Sequence, residues 1–269
     1  MPQISASKYL VMASWDDVPH LDQKTKDELL EATPPWQRKA RSMGIPVLGS
    51  GLIFPVSEDA IKCDAFPIPT HWARIRGMDF GWDHPTAHVE LAWDRDTDTV
   101  YLTTVYAESQ RRVDEHASAI KRQSPDWVPI AWPHDGLQHD KRAGKMLAEL
   151  YRDEGLPMLA EMATFPEQSH DGGTEEGNDI SSRVSVEAGI ADMLLRMQQG
   201  RFKVFRHCEL FFAEMRMYHR KDGKIVKLFD DVISATRYAI MMLRFAKTEP
   251  RRQDFRKLRD SGGGSWKTR

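Results

Sequence analysis

Apolar residues recur along this chain with two periods, and the alternation between them lays out its elements. Arg74 to Phe80, His88 to Trp93 and Thr99 to Ala107 are short runs rich in β-branched and aromatic residues, which predicts three strands. The turn Asp94-Arg95-Asp96-Thr97-Asp98 makes the second and third an antiparallel hairpin. Helical spacing follows from Val113 to Arg122, then a fourth strand from Trp127 to Trp132. A helix from Lys141 to Glu154 is stopped by Gly155 and Pro157. The pattern then predicts a fifth strand over Met158 to Ala163 and a long helix from Ser182 to Gln199, capped by Gly200. A strand at Arg201 to Phe205 and a helix at Glu209 to Met217 follow. Lys221-Asp222-Gly223-Lys224 is a hairpin turn, and the last helix runs from Asp230 to Phe245.

Residues 1 to 70 read differently. Asp22 to Ala32 is a charged helix pattern anchored by Leu29 and Leu30, and Pro34-Pro35 stops it. A shorter helix, Gln37 to Met43, leads into Gly44-Ile45-Pro46 and the turn-rich Gly49-Ser50-Gly51. This is expected to be a helical connector lying on a neighbour's surface. Residues 71 to 246 form the main domain, within which Gln168 to Asp179, with no apolar anchor, is expected to be a mobile loop. Residues 247 to 269 are basic and are expected to be a flexible tail. Three strands, a helix, a strand, a helix and a strand, with a helix returning to the sheet, predict an α/β fold. The expected form is a ribonuclease H-like mixed central sheet flanked by helices, an analogy of fold that does not by itself fix an activity.

Composition narrows the function classes. Net charge is −2 and 29% of residues are charged, so a nucleic-acid partner needs a local basic patch. Two cysteines, Cys63 and Cys208, do not make a disulfide framework or a zinc site, which fits a soluble protein in a reducing compartment. Met1 to Tyr9 is no signal peptide, and Tyr238 to Leu243 is too short to span a membrane. No Gly-x-x-x-x-Gly-Lys-Ser/Thr loop occurs, so this polypeptide is not expected to hydrolyse ATP.

Three acidic stretches carry the chemistry: Gly77-Met78-Asp79-Phe80-Gly81, Trp132-Pro133-His134-Asp135-Gly136 and Phe229-Asp230-Asp231-Val232. Singly, such residues form turns or cap helices. Together they place carboxylates at two strand ends and a helix start. If the two strands are neighbours, about 4.8 Å apart, their acids can bridge divalent ions roughly 3.5–4 Å apart, as two-metal phosphodiester hydrolysis requires. Asp79, Asp135 and Asp231 are the candidate ligands. Asp230 is an alternative or an N-cap, and Asp83 lies at the edge. Ala235 and Tyr238 share a helix face with Asp231, the small alanine allowing close packing on the sheet. His84, His134 and His139 lie near the acids in sequence and read as polar loop residues, a proton shuttle or phosphate contact being the alternative for His134. Lys141, Arg142 and Lys145, with Arg216, Arg220, Lys221, Lys224 and Lys227, are candidate phosphate contacts, a solvated surface being the equal alternative. Trp72, Trp82, Trp93, Trp127 and Trp132 read as core rather than as base-stacking residues.

At these residues the chain resembles a family. Met78-Asp79-Phe80-Gly81-Trp82-Asp83-His84-Pro85-Thr86-Ala87 is similar to the first nuclease motif of tailed-bacteriophage terminase large subunits. Asp230-Asp231-Val232-Ile233-Ser234-Ala235-Thr236-Arg237-Tyr238-Ala239 resembles their last motif, with Ser234 where many members carry a further Asp. Ser14-Trp15-Asp16-Asp17-Val18-Pro19-His20-Leu21, with Pro34-Pro35 and Gly44 to Gly51, resembles the connector between their ATPase and nuclease domains. The resemblance implies a metal-dependent endonuclease that cuts concatemeric viral double-stranded DNA during genome packaging in the host cytoplasm. It would use Mg²⁺ or Mn²⁺, with Asp79 bridging two ions and Asp135 and Asp231 each completing a site. It further implies an ATPase domain earlier in the same polypeptide, this chain looking like the portion that follows it, and docking to portal and small terminase subunits. The rivals are a Holliday-junction resolvase or transposase of the same fold, and a non-catalytic docking module of the packaging motor.

Overall fold

The computed structural model describes residues 3–5, 8–9, 13–33, 38, 41–44, 51–139, 144–165 and 186–250. Strands β1 (Gln3–Ser5) and β2 (Lys8–Tyr9) form a small antiparallel pair ahead of helix α1 (Gln23–Glu31). Asp22 caps α1 by accepting from the Thr25 amide at 2.7 Å. Helix α2 (Glu58–Ile61) leads into β3 (Lys62–Cys63). Then come β4 (Ala73–Asp79), β5 (Thr86–Asp94), β6 (Thr99–Glu108), α3 (Val113–Gln123) and β7 (Ile130–Ala131). Helices α4 (Leu147–Asp153) and α5 (Val186–Gln198), strand β8 (Phe202–Phe205) and helix α6 (Glu209–Met217) follow. The hairpin β9 (Arg220–Lys221) and β10 (Lys224–Ile225) precedes α7 (Asp231–Met241).

One mixed sheet organises the molecule, in the order β3-β8-β6-β5-β4-β7. β5 runs antiparallel to both β4 and β6, as the hairpin pattern predicts, while β7 is parallel to β4 and β8 to β6. The β5–β6 turn is set by Asp94, whose carboxylate accepts from the Asp96 amide and the Thr97 hydroxyl at 3.1 and 2.7 Å. Each sheet face buries its own core. Ile75, Val89, Leu91, Leu102, Phe202 and Val204 pack beneath α5, α6 and α7. On the opposite face Met78, Phe80, Tyr106, Ile130 and Trp132 pack with α3 and α4. The result is a three-layer α/β arrangement.

Several elements differ from the periodicity. The fourth strand keeps only Ile130–Ala131, and Met158 makes an isolated parallel bridge to Ile130 instead of starting a fifth strand. The backbone there follows β7 irregularly, through bonds from Leu159 N to Ile130 O and from Ala163 N to Trp132 O. Helix α4 starts at Leu147 rather than Lys141, because Met146 is its N-cap and the Met146 amide donates to the Glu149 carboxylate at 3.0 Å. The last helix ends at Met241, with a 3-10 turn over Leu243–Phe245. The segment from Gly51 to Cys63, read as part of the connector, packs into the main core: Ile53, Phe54 and Ile61 are buried and β3 extends the sheet. Pro34-Pro35, Ile45 to Ser50, Gln168 to Asp179 and the tail beyond residue 250 lie outside the described residues.

Helix α7 lies across β4, β5 and β6 and buries most of its length. Its closest approach is at Gly77, where a Cβ would overlap the Ala235 carbonyl oxygen, far inside van der Waals contact, and lie 3.0 Å from the Ala239 Cβ. Gly77→Ala is therefore expected to lift α7 from the sheet and cost about 3 kcal/mol. Chemical denaturation of the variant measures that loss.

Candidate active site

Successive strand residues face opposite sides, so Gly77 and Asp79 both point to the α7 face. Ala235 packs on Gly77, and Asp231 lies one helical turn before it. Moving two residues along β4 and one turn back along α7 brings Asp231 and Asp79 together. Asp135 arrives from the other side, in the 3-10 turn His134–Leu137 that follows β7, the parallel neighbour of β4. Gly136 in that turn has a packing reason. A Cβ there would strike the Trp132 ring and come within 3.0 Å of the Phe80 ring.

The electrostatics record the convergence. Burial pushes Asp79 up to about 8, and the charge of Asp231 adds to it, followed by those of Asp230 and Asp135; Arg237 opposes them. Asp231 is raised by burial and eased by His84, whose Nδ1 lies 3.2 Å from Asp231 Oδ1. Asp230 is raised by burial and by Asp231, with Lys227, Arg237 and His84 pulling the other way. Tyr238 joins the same field: burial, then Asp79, lifts it to about 12.

The other sequence candidates scatter. Asp83 is exposed on the turn after β4, and the charges acting on Asp79 are those of its three acidic neighbours and Arg237. Asp230 occupies the N-cap position of α7 without a side-chain capping bond. Lys145 is tied to Asp153 at 2.7 Å, Arg216 to Glu58 and Arg220 to Glu187, so these three cations are already paired. Lys221, Lys224 and Lys227 stay exposed on and after the hairpin, whose turn uses Asp222 and Gly223 at positive φ. Lys141 and Arg142 lie outside the described residues. His134 and His139 are exposed, whereas His84 contacts the cluster.

Two site residues escaped the sequence reading. Glu214, on α6, accepts from the amides of Val232 and Ile233 at 3.1 and 2.9 Å, which makes it the cap that Asp230 does not provide. Burial nevertheless raises Glu214 to about 7. Capping from a distant helix leaves no local pattern to read. Arg237 is the buried cation of the site, its guanidinium over the Tyr238 ring at 4.3 Å. Gly189 of α5 makes room for it, since a Cβ there would meet the Arg237 side chain at 2.6 Å.

Among the described residues, no three acid, histidine or cysteine side chains already close around one point as ligands would. The donor set nonetheless fits a hard divalent cation. It is made of carboxylate oxygens, and a cation between them would offset both the burial and the mutual repulsion that keep Asp79 protonated.

Comparison with known proteins agrees with this architecture. Residues 76–243 match the family described as terminase RNaseH-like domain. The large terminase subunit of Salmonella phage P22 is 44% identical over 244 residues, covering 90% of this chain and 46% of that protein. That of Enterobacteria phage LP7 is also 44% identical, over 88% of this chain and 47% of its own length. The chain thus spans about half the length of these relatives. The P22 large terminase nuclease domain superposes with a TM-score of 0.64 at 46% identity, over 75% of this chain and 96% of that one. The large terminase of a thermophilic bacteriophage, at 16% identity, shares the fold with a TM-score of 0.55, over 86% of this chain and 55% of its own.

Two outcomes follow from the geometry. Glu214→Ala strands the Val232 and Ile233 amides and is expected to cost about 2 kcal/mol in denaturant unfolding, with Glu214→Gln costing less. For Asp79 the folded chain holds its proton to about 8, against an ordinary 3.8. The folded state therefore binds more protons across that window, and stability falls as pH rises through it. Without divalent ions, Asp79→Asn is expected to raise the melting temperature above wild type by more at pH 9 than at pH 5, as thermal unfolding would read.

Proposed function

The chain belongs to the terminase RNase H-like domain family and carries the fold of a phage large-terminase nuclease domain, and on that footing we propose that it is a metal-dependent endonuclease acting on double-stranded DNA. The observation that supports this most is the convergence of Asp79, Asp231, Asp230 and Asp135 at one end of β4, where burial first and then the neighbouring acids lift Asp79 to about 8. Asp79, Asp135 and Asp231 would hold Mg²⁺ or Mn²⁺, with Asp230 beside them. When bound, such ions supply Lewis acidity toward the phosphate oxygens and the attacking water.

The protein's own groups prepare that site. The Glu214 cap and the Gly77–Ala235 contact fix the start of α7, so Asp231 is presented rather than free to swing. His84 holds one oxygen of Asp231 from the solvent side. Arg237 balances the acids from within the core, where it cannot itself reach a phosphate. Lys227, whose charge acts on Asp230, and the exposed Lys221 and Lys224 of the preceding hairpin are suited to a DNA backbone without reading its sequence.

The substrate in this reading is concatemeric viral DNA, cut during packaging. The additional length of the phage relatives is where an ATPase domain of the same polypeptide would lie, with portal and small terminase subunits as further partners. Asp79→Ala is expected to reduce plasmid cleavage in Mn²⁺ by about 100-fold or more, with an unchanged circular dichroism spectrum, while Asp83→Ala still cuts. Wild-type cleavage by a folded Asp79→Ala protein would refute the assignment.

A further inference from the structure

Trp82 reads in the sequence as a core residue, yet it is 59% exposed. It stands on the rim of a cleft of about 720 Å³ that adjoins the acidic cluster and shares Asp135 and His84 with it. Its lining mixes apolar residues, among them Phe80, Tyr151 and Leu147, with polar and charged ones, among them Arg112, Gln138 and Asp135. Phe80 and Tyr151 stack at 5.4 Å and make a firm apolar wall. The Trp82 backbone is held in place: its carbonyl accepts from the Gln110 amide at 3.0 Å, and Gln110 adopts φ 57 to reach it. A fixed backbone with an indole left in water, beside a half-apolar cleft, is a surface awaiting a flat apolar partner.

We propose that this cleft binds one unstacked nucleotide of a DNA strand, with its base against the Trp82 indole. The volume lies in the range of small-ligand sites. The mixed lining suits a base, which has an apolar face and a polar edge, and Gln138, whose Nε2 donates to Asp135 at 3.3 Å, keeps its carbonyl oxygen for that edge. Asp135 forms part of the wall, so a base seated here has its phosphate beside the acidic cluster. In this respect the inference rests on the proposed function, and it gives that function a substrate feature: the strand is locally unpaired where it is cut. The arginines contribute little of the affinity. Arg112 Nε pairs with Asp114 at 3.1 Å, and Arg111 pairs with Glu108 and Glu115, so their charge is already matched. Stacking is left as the main source of binding.

The test uses the full chain and the hexanucleotide (dT)6 labelled at its 5′ end, titrated by fluorescence anisotropy in EDTA, where no cleavage intervenes. Trp82→Ala is expected to weaken binding about tenfold, and Trp82→Phe, which keeps an aromatic face, by less. The exposed position makes both variants compatible with the fold, which circular dichroism checks. Undiminished binding by Trp82→Ala, equal loss in both variants, or no binding of (dT)6 by the wild type would each overturn the proposal. Plasmid cleavage by the wild type in Mn²⁺ is scored separately. Its absence would refute the nuclease assignment while the titration in EDTA still decides the cleft.

Discussion

The contact between Gly77 and Ala235 sets the position of everything that matters at the acidic cluster. It is a backbone-to-backbone approach, possible because one partner has no side chain and the other only a methyl. Strand and helix periodicities then carry the register outward: Asp79 is two residues along the strand, and Asp231 is one turn back along the helix. A larger residue at either point would separate the two carboxylates by the thickness of a side chain. The same tight seating buries α7 nearly throughout, so its N-terminus cannot fray into solvent to relieve the repulsion between the acids.

That confinement explains the surrounding polar groups. Two acids forced together in a half-buried place are costly, and the structure answers with partners recruited from separate elements. Glu214 of α6 caps the helix amides, Arg237 supplies a buried positive charge, and His84 meets Asp231 at the surface. None removes the strain at Asp79, which remains protonated to about pH 8. On the far side of β4, Phe80 turns into the second core and Trp82 emerges onto the cleft, so one strand end serves both the acidic cluster and its neighbouring groove.

Much of this was legible in the chain. The helix Glu209–Met217 and the strands β4, β5 and β6 follow directly from apolar spacing, and Asp79 and Asp231 are read at the ends of their elements for the same reason. The α/β, ribonuclease H-like class agrees with both the sheet order and the family match. Weakly periodic stretches were over-read. Trp127 to Trp132 and Met158 to Ala163 contain strand-forming residues, but at the sheet edge they have too few neighbours to complete a ladder. The segment around Ile53 and Phe54 was under-read, because its apolar residues are too few to show a period although the core takes them in.

What the sequence alone determined is local: which residues alternate, where elements stop, and that carboxylates stand at those stops. These properties depend on neighbours within a turn or two, which a linear pattern records. Which charges share a field is settled by packing in three dimensions. It joined Asp79, Asp135 and Asp231, left Asp83 in solvent, tied Arg220 to Glu187, brought Glu214 and Arg237 to the site and set Trp82 outside the core. Electrostatic and packing energies fall off with distance in space, and no spacing along the chain reports that distance until the sheet order and the seat of α7 are known.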